Sequence, residues 1–209
     1  MPVNHKNPPA VPEPSEAEGT GQALCRSCGM CCDGTLFPSV TLLDGDPVPA
    51  LVAAGIKIVV HDAERRFRQP CAAHDGQSCR VYTDRPSVCR TSRCKVLVDL
   101  ESHTIEWRQA LEKIHQVFAL KKAAREALKR IEPTSAEASL SELQERWARI
   151  DDAAESLAVR RKYGPVLVCM VAFEWYLEWH FFRERAAGDP NCAFSRKRSN
   201  AGALKTTSE

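Results

Sequence analysis

Cys25-Arg-Ser-Cys28-Gly-Met-Cys31-Cys32 places four thiols in eight residues. Two intervening residues let neighbouring sulfurs turn onto one centre, the knuckle that builds tetrahedral zinc sites. A third thiol at the same interval is the spacing used to hold iron–sulfur clusters. Gly29 suits a loop whose backbone must bend where other residues resist. Cys31 and Cys32 are adjacent, so one is expected to ligate while the other faces a second site or remains a free thiol. A disulfide staple and a Cys-x-x-Cys redox pair are the competing chemistries.

Further along, Cys71, Cys79, Cys89 and Cys94 bring the count to eight of the chain's ten cysteines. Four thiolates around a divalent ion leave a negative site, and an all-cysteine iron–sulfur cluster is anionic too. Arg80, Arg85, Arg90 and Arg93 are interleaved with these thiols. Arg85 and Arg90 are the expected cofactor-binding residues, neutralising the charge and donating to sulfur. Pro86 fixes the turn before Cys89, Asp75-Gly76 marks a turn before Cys79, and Tyr82 reads as packing. His74, a lone loop histidine, reads as solvated. Eight thiols make two tetrathiolate sites, which favours zinc, whereas the Cys25-x2-Cys28-x2-Cys31 run favours iron–sulfur.

The opening MPVNHKNPPAVPEP lacks the apolar stretch of a secretory signal. A reducing, cytoplasmic setting is therefore expected, which argues against a disulfide framework. The net charge of +2 supplies no broad phosphate-binding surface, so nucleic acid is not an expected partner. The most apolar run, residues 166–182, carries Glu174, Glu178 and His180. It reads as a buried helix rather than a membrane span.

Cys25-x2-Cys28-Gly-x-Cys31-Cys32, then Cys71, then Cys79-x-Val-Tyr82-x-x-Arg85-Pro86-x-x-Cys89-Arg90, resembles the YkgJ-type CxxCxxCC cysteine-cluster family. The resemblance implies a zinc- or iron-chelating domain, related to that of the flagellin lysine methylases, which is thought to hold an iron–sulfur cluster. It covers about 70 residues. Many relatives continue with an apolar segment after the last motif, whereas this chain reads Thr-Ser-Arg-Cys94.

The expected fold is α+β and mainly helical, a loop-rich cysteine module followed by a three-helix hairpin bundle. Residues 1–22 read as a disordered leader, 23–100 as the metal module, 101–190 as the bundle and 191–209 as a polar tail. Within the module, 35–43 reads as extended, 49–54 as a short helix stopped by Gly55, and 56–60 as a strand. The bundle begins with a helix over 105–131, where Trp107, Leu111, Ile114 and Phe118 recur at helical spacing. Its basic C-terminal residues and other charges read as a solvated face. The second helix carries the seam Leu140, Leu143, Trp147, Ile150, Ala154 and Leu157, and Gly164-Pro165 is expected to end it. The third runs from Val166 to about Arg185, with Cys169 as a core residue and Trp175 and Trp179 as packing anchors. Cys192 reads as a free thiol.

These readings predict a metal-binding protein whose metal ligands are Cys25, Cys28, Cys31, Cys32, Cys71, Cys79, Cys89 and Cys94. The cofactor is zinc, iron or an iron–sulfur cluster. Two other functions fit the same residues. One is an iron–sulfur modifying enzyme of the lysine-methylase kind, binding S-adenosylmethionine. The other is a metal-folded interaction module that meets a protein partner through its helices. No nucleotide loop, nucleophile elbow or paired catalytic carboxylates stand out, so no catalytic residue is assigned.

Overall fold

The computed structural model describes residues 20–61, 63–76, 78–132 and 157–182. In chain order the elements are α1 (Thr20–Cys28), β1 (Ser39–Thr41), α2 (Val48–Ala53), β2 (Ile58–His61), β3 (Glu64–Arg68), α3 (Ser87–Thr91), α4 (Lys95–Glu101), α5 (Trp107–Ile131) and α6 (Leu157–His180). The result is α+β and mainly helical.

The three strands make an antiparallel sheet in the order β1-β3-β2. Phe67, the only buried residue of the central strand, pairs with Val40 on one side and Ile58 on the other. Gly55 takes a φ of +88° after α2, the left-handed geometry that releases the chain from a helix. The strand expected at 56–60 begins two residues later and ends one later, at 58–61. Its partner β3, Glu-Arg-Arg-Phe-Arg, is masked in sequence by charge.

α5 and α6 form the principal helix pair. On α5 the buried positions Ala110, Ile114, Val117, Lys121, Ala124 and Leu128 are spaced four and three apart. On α6 Val166, Met170, Phe173 and Leu177 follow the same rhythm. Both stripes fall on one face of their helices, the condition for close helix packing. Lys113 Nζ, near the start of α5, lies 3.0 Å from His180 Nδ1 at the end of α6. Tyr163 Oη, near the start of α6, donates to Glu132 Oε1 beyond the end of α5 at 2.6 Å. The pair is therefore antiparallel. Each fully buried Phe, Leu or Met at this interface contributes roughly 1.5–3 kcal/mol.

Gly164-Pro165 does not end a helix, contrary to expectation. α6 runs through it from Leu157 to His180. Pro165 and Arg161 are both exposed, so the proline falls on the solvent side of α6, away from its packed face. Packing of the flanking turns on α5 holds the helix together. The expected second helix has its seam almost wholly at 133–156, outside the described residues, as are 1–19, 183–209 and Cys192.

One set of buried hydrophobic residues, from Leu24 to Phe182, joins the cysteine-rich half to the helices. Phe181 closes over this junction, and its carbonyl accepts from Lys95 N at 3.0 Å. Trp175 and Trp179 are not packing anchors. They are 62% and 66% exposed and stack on one another with centroids 5.9 Å apart. Each lies two residues from Leu177, and so on the opposite side of α6. No described helix is long and apolar enough to cross a membrane.

Candidate metal centre

Cys25 and Cys28 lie three residues apart on α1, and so share one helix face. α1 packs against α4 and α5. The approach to α4 is close at Gly21. A Cβ there would stand 2.6 Å from Glu101 Oε1 and 3.0 Å from Leu97 Cδ1. Cys94 sits at the N-cap of α4, so this packing brings it towards the end of α1. Gly29 then breaks α1 with a φ of +62°. Its carbonyl accepts from Cys32 N at 2.8 Å and Asp33 N at 3.0 Å. Inside this turn Met30 is fully buried, which fastens the loop to the core between Cys28 and Cys31.

The later thiols are hung on the same loop. Cys71 N donates to Cys32 O at 2.8 Å. His74 and Cys79 form an antiparallel bridge, and Arg80 N donates to Ala73 O at 2.8 Å. Between them Asp75 Oδ1 accepts from Ser78 N at 2.7 Å, and Gly76 has a φ of +97°. This is the turn expected at Asp75-Gly76. Cys89 lies on α3, which is fixed by a residue that sequence reading passed over. Buried Asp46 accepts from Ser87 N and Ser87 Oγ, both at 2.7 Å, and from Leu43 N at 2.9 Å. One carboxylate thereby joins the loop after β1 to the first residue of α3.

All eight cysteines line one cavity of about 100 Å³, together with His74, Tyr82 and Arg85. The cavity wall contains no aspartate, glutamate or lysine among the described residues. Desolvation by burial pushes the thiol pKa of Cys32, Cys89 and Cys94 up to about 12. Burial likewise raises Cys28 and Cys31 well above the ordinary range, and Cys71 to a smaller extent. After burial, the groups acting on Cys32 are Cys71, Cys79 and Cys89, with Asp33 after them, whose like charge would oppose its ionisation. For Cys31 they are Cys28, Cys94 and Cys25, with Cys32 after them. No described trio of His, Cys, Asp or Glu side chains already converges on an ion position.

Arg85 lines the cavity, donates from Nε to Tyr82 O at 3.0 Å, and holds its guanidinium 3.7 Å from the Tyr82 ring centroid. Its charge opposes the burial effect at both Cys25 and Cys89. Arg90 is exposed and outside the cavity wall, donating to Arg85 O at 2.6 Å and Ser87 Oγ at 3.1 Å. Arg80 donates to Ala54 O and Ala72 O, while Arg93 pairs with Glu101.

His74 is half-buried rather than solvated. Burial lowers its pKa, and its ring would stand 3.1 Å from a Cβ at Gly29. Cys169 packs partly buried against the core. Asp33 was likewise invisible as a site residue. Its Oδ1 accepts from Thr35 N at 2.8 Å, and its Oδ2 receives buried Lys121 Nζ at 2.7 Å from α5. Asp-Gly-Thr after a cysteine pair is a local signal for such a side-chain turn. Lys121 gives no sequence signal beyond its place in the buried stripe.

Asp46 should leave a signature in acid. Burial alone would raise its carboxyl pKa, but hydrogen bonds from Ser87 and Leu43, with Arg90 nearby, hold it below the usual value. A depressed folded-state pKa stabilises the fold above the unfolded-state pKa of about 3.9, and that contribution is lost as pH falls below it. Denaturant midpoints measured from pH 6 to 3 should fall more steeply for the natural chain than for Asp46→Asn. Parallel curves would show that this carboxylate contributes nothing.

Residues 24–112 match the family model CxxCxxCC, described as a putative zinc- or iron-chelating domain. Comparison with curated proteins and with solved structures gave no match.

Proposed function

We propose, from the match of residues 24–112 to the CxxCxxCC family model, that the chain chelates zinc or iron through its eight clustered thiols. The iron would be held as an ion or as an iron–sulfur cluster. The observation that carries the reading is the donor set. Eight sulfurs line one cavity whose wall has no carboxylate among the described residues. Soft thiolates select zinc and iron–sulfur clusters, whereas magnesium and calcium need oxygen ligands. Gln69 adds a buried Oε1 on the same wall with no hydrogen-bond donor among the described residues, a place for water or a ligand group.

A bound centre supplies a cross-link between segments distant in sequence, and its binding energy becomes folding energy. The chain's own residues prepare for it. Burial keeps Cys28, Cys31, Cys32, Cys89 and Cys94 protonated until metal displaces the protons, and Arg85 offsets the negative charge that follows. α4, α5 and α6 act as the scaffold against which the cysteine loops are fixed.

Thiol protection tests this directly. The reduced chain is treated with an alkylating agent, with and without zinc, and the modified cysteines are counted by mass spectrometry. Zinc should slow modification of Cys25, Cys28, Cys31, Cys32, Cys71, Cys79, Cys89 and Cys94, and leave Cys192 unaffected. Identical modification in both samples would overturn the reading.

A further inference from the structure

We infer that the eight thiols divide into two four-thiolate centres, one built by Cys25, Cys28, Cys31 and Cys94 and the other by Cys32, Cys71, Cys79 and Cys89. Adjacent Cys31 and Cys32 then belong to different centres. The inference rests on the metal-binding reading above and specifies how that site is organised.

The backbone makes the division. The first centre lies where α1 meets α4. Cys25 and Cys28 share a face of α1, Cys94 begins α4, and Cys31 follows the Gly29 turn that ends α1. The second centre is assembled from loops that join at Cys32. The Cys32 carbonyl accepts the Cys71 amide, the His74–Cys79 bridge returns the chain beside Cys71, and α3 presents Cys89. Fully buried Met30 anchors the turn from which both begin.

The charge effects among the thiols follow the same division. Cys28 feels Cys94 and Cys25, and Cys94 feels Cys25. Cys89 feels Cys71 and Cys79, and Cys71 feels Cys79. Across the division Cys31 feels Cys32, the residue next to it in the chain. The arginines divide as well: Arg93 acts on Cys25, Arg80 on Cys71, and Arg85 on a member of each set. Two tetrathiolate sites with a divalent ion each carry two negative charges, so a cation shared between them is where electrostatics places it.

Cobalt(II) is the probe, because its thiolate complexes absorb visibly where zinc is silent. The reduced full-length chain, titrated anaerobically, should reach its end-point at about two cobalt ions per chain, with absorption of tetrahedral thiolate sites. Cys94→Ser and Cys89→Ser should each bring the tight end-point to about one ion. Cys25→Ser combined with Cys94→Ser, within one set, should also keep about one ion. Cys89→Ser combined with Cys94→Ser, across the sets, should keep none. A natural chain saturating at one ion would overturn the division while leaving metal binding intact, and this readout needs no variant to fold. So would equal losses from within-set and cross-set pairs. No cobalt–thiolate absorption at any ratio would instead contradict the metal-binding reading itself.

Discussion

Lys121→Met should destabilise the chain by about 3 kcal/mol, or about 6–12 °C in Tm. The Lys121 side chain is 9% exposed, and its ammonium lies 2.7 Å from Asp33 Oδ2 and 3.3 Å from Thr35 Oγ1. Methionine preserves the packing of the aliphatic stem on α5, so the loss isolates the charge. What remains is a carboxylate in a largely dry setting without its cation, which costs far more than the pair itself contributes. Asp33 is 22% exposed, so some of its charge reaches water and the lower end of the usual range applies. The consequence reaches the site because Asp33 follows Cys32, and its charge acts on both Cys28 and Cys32. Adding Asp33→Asn to Lys121→Met should recover part of the loss. Urea denaturation followed by far-ultraviolet circular dichroism checks both. A single-variant effect under 1 kcal/mol would show that α5 is not tied to the cysteine loop through this pair.

Metal affinity should rise steeply with pH. Each ligating thiol that is protonated in the free protein gives up its proton on binding, so apparent affinity rises about tenfold per thiol per pH unit. The thiols with pKa pushed up to about 12 by burial, Cys32, Cys89 and Cys94, are fully protonated at neutral pH. For a four-thiol centre the expected release is about four protons per zinc ion between pH 6 and 8. Calorimetry of zinc binding in buffers of different ionisation enthalpy reads this number. Release of fewer than one proton per ion would contradict thiolate ligation. The metal-free chain has the opposite dependence. Thiol pKa values raised above about 8.5 in the fold stabilise it below that pH, and the contribution is lost as pH rises through the folded values.

The long helix at 107–131 is legible because its apolar residues recur at one period over seven turns and basic residues gather at its end. The cysteine motif is legible because spacing carries the chemistry. What sequence conceals follows from tertiary compensation. α1 begins in a stretch that reads as leader, because its helical face is completed by contact with Leu97 of α4 rather than by its own pattern. β3 conceals one core residue, Phe67, among three arginines and a glutamate. Pro165 reads as a stop, and packing on α5 overrides it. Asp46 gives no signal and Lys121 reads with the basic, solvated face of its helix, since nothing local reveals partners 41 and 88 residues away. The adjacency of Cys31 and Cys32 is visible in sequence, but their different neighbours depend on where α4 and the Cys71 loop return.

The most direct test of the central claim is a count of zinc, iron and acid-labile sulfide in the full-length chain isolated anaerobically, with its visible absorption spectrum. Thiolate chelation in this cavity predicts stoichiometric metal, either colourless zinc or iron with thiolate charge-transfer bands, that leaves when strong acid protonates the thiols. A folded, fully reduced chain that contains no metal and takes up neither zinc nor iron on addition would contradict it.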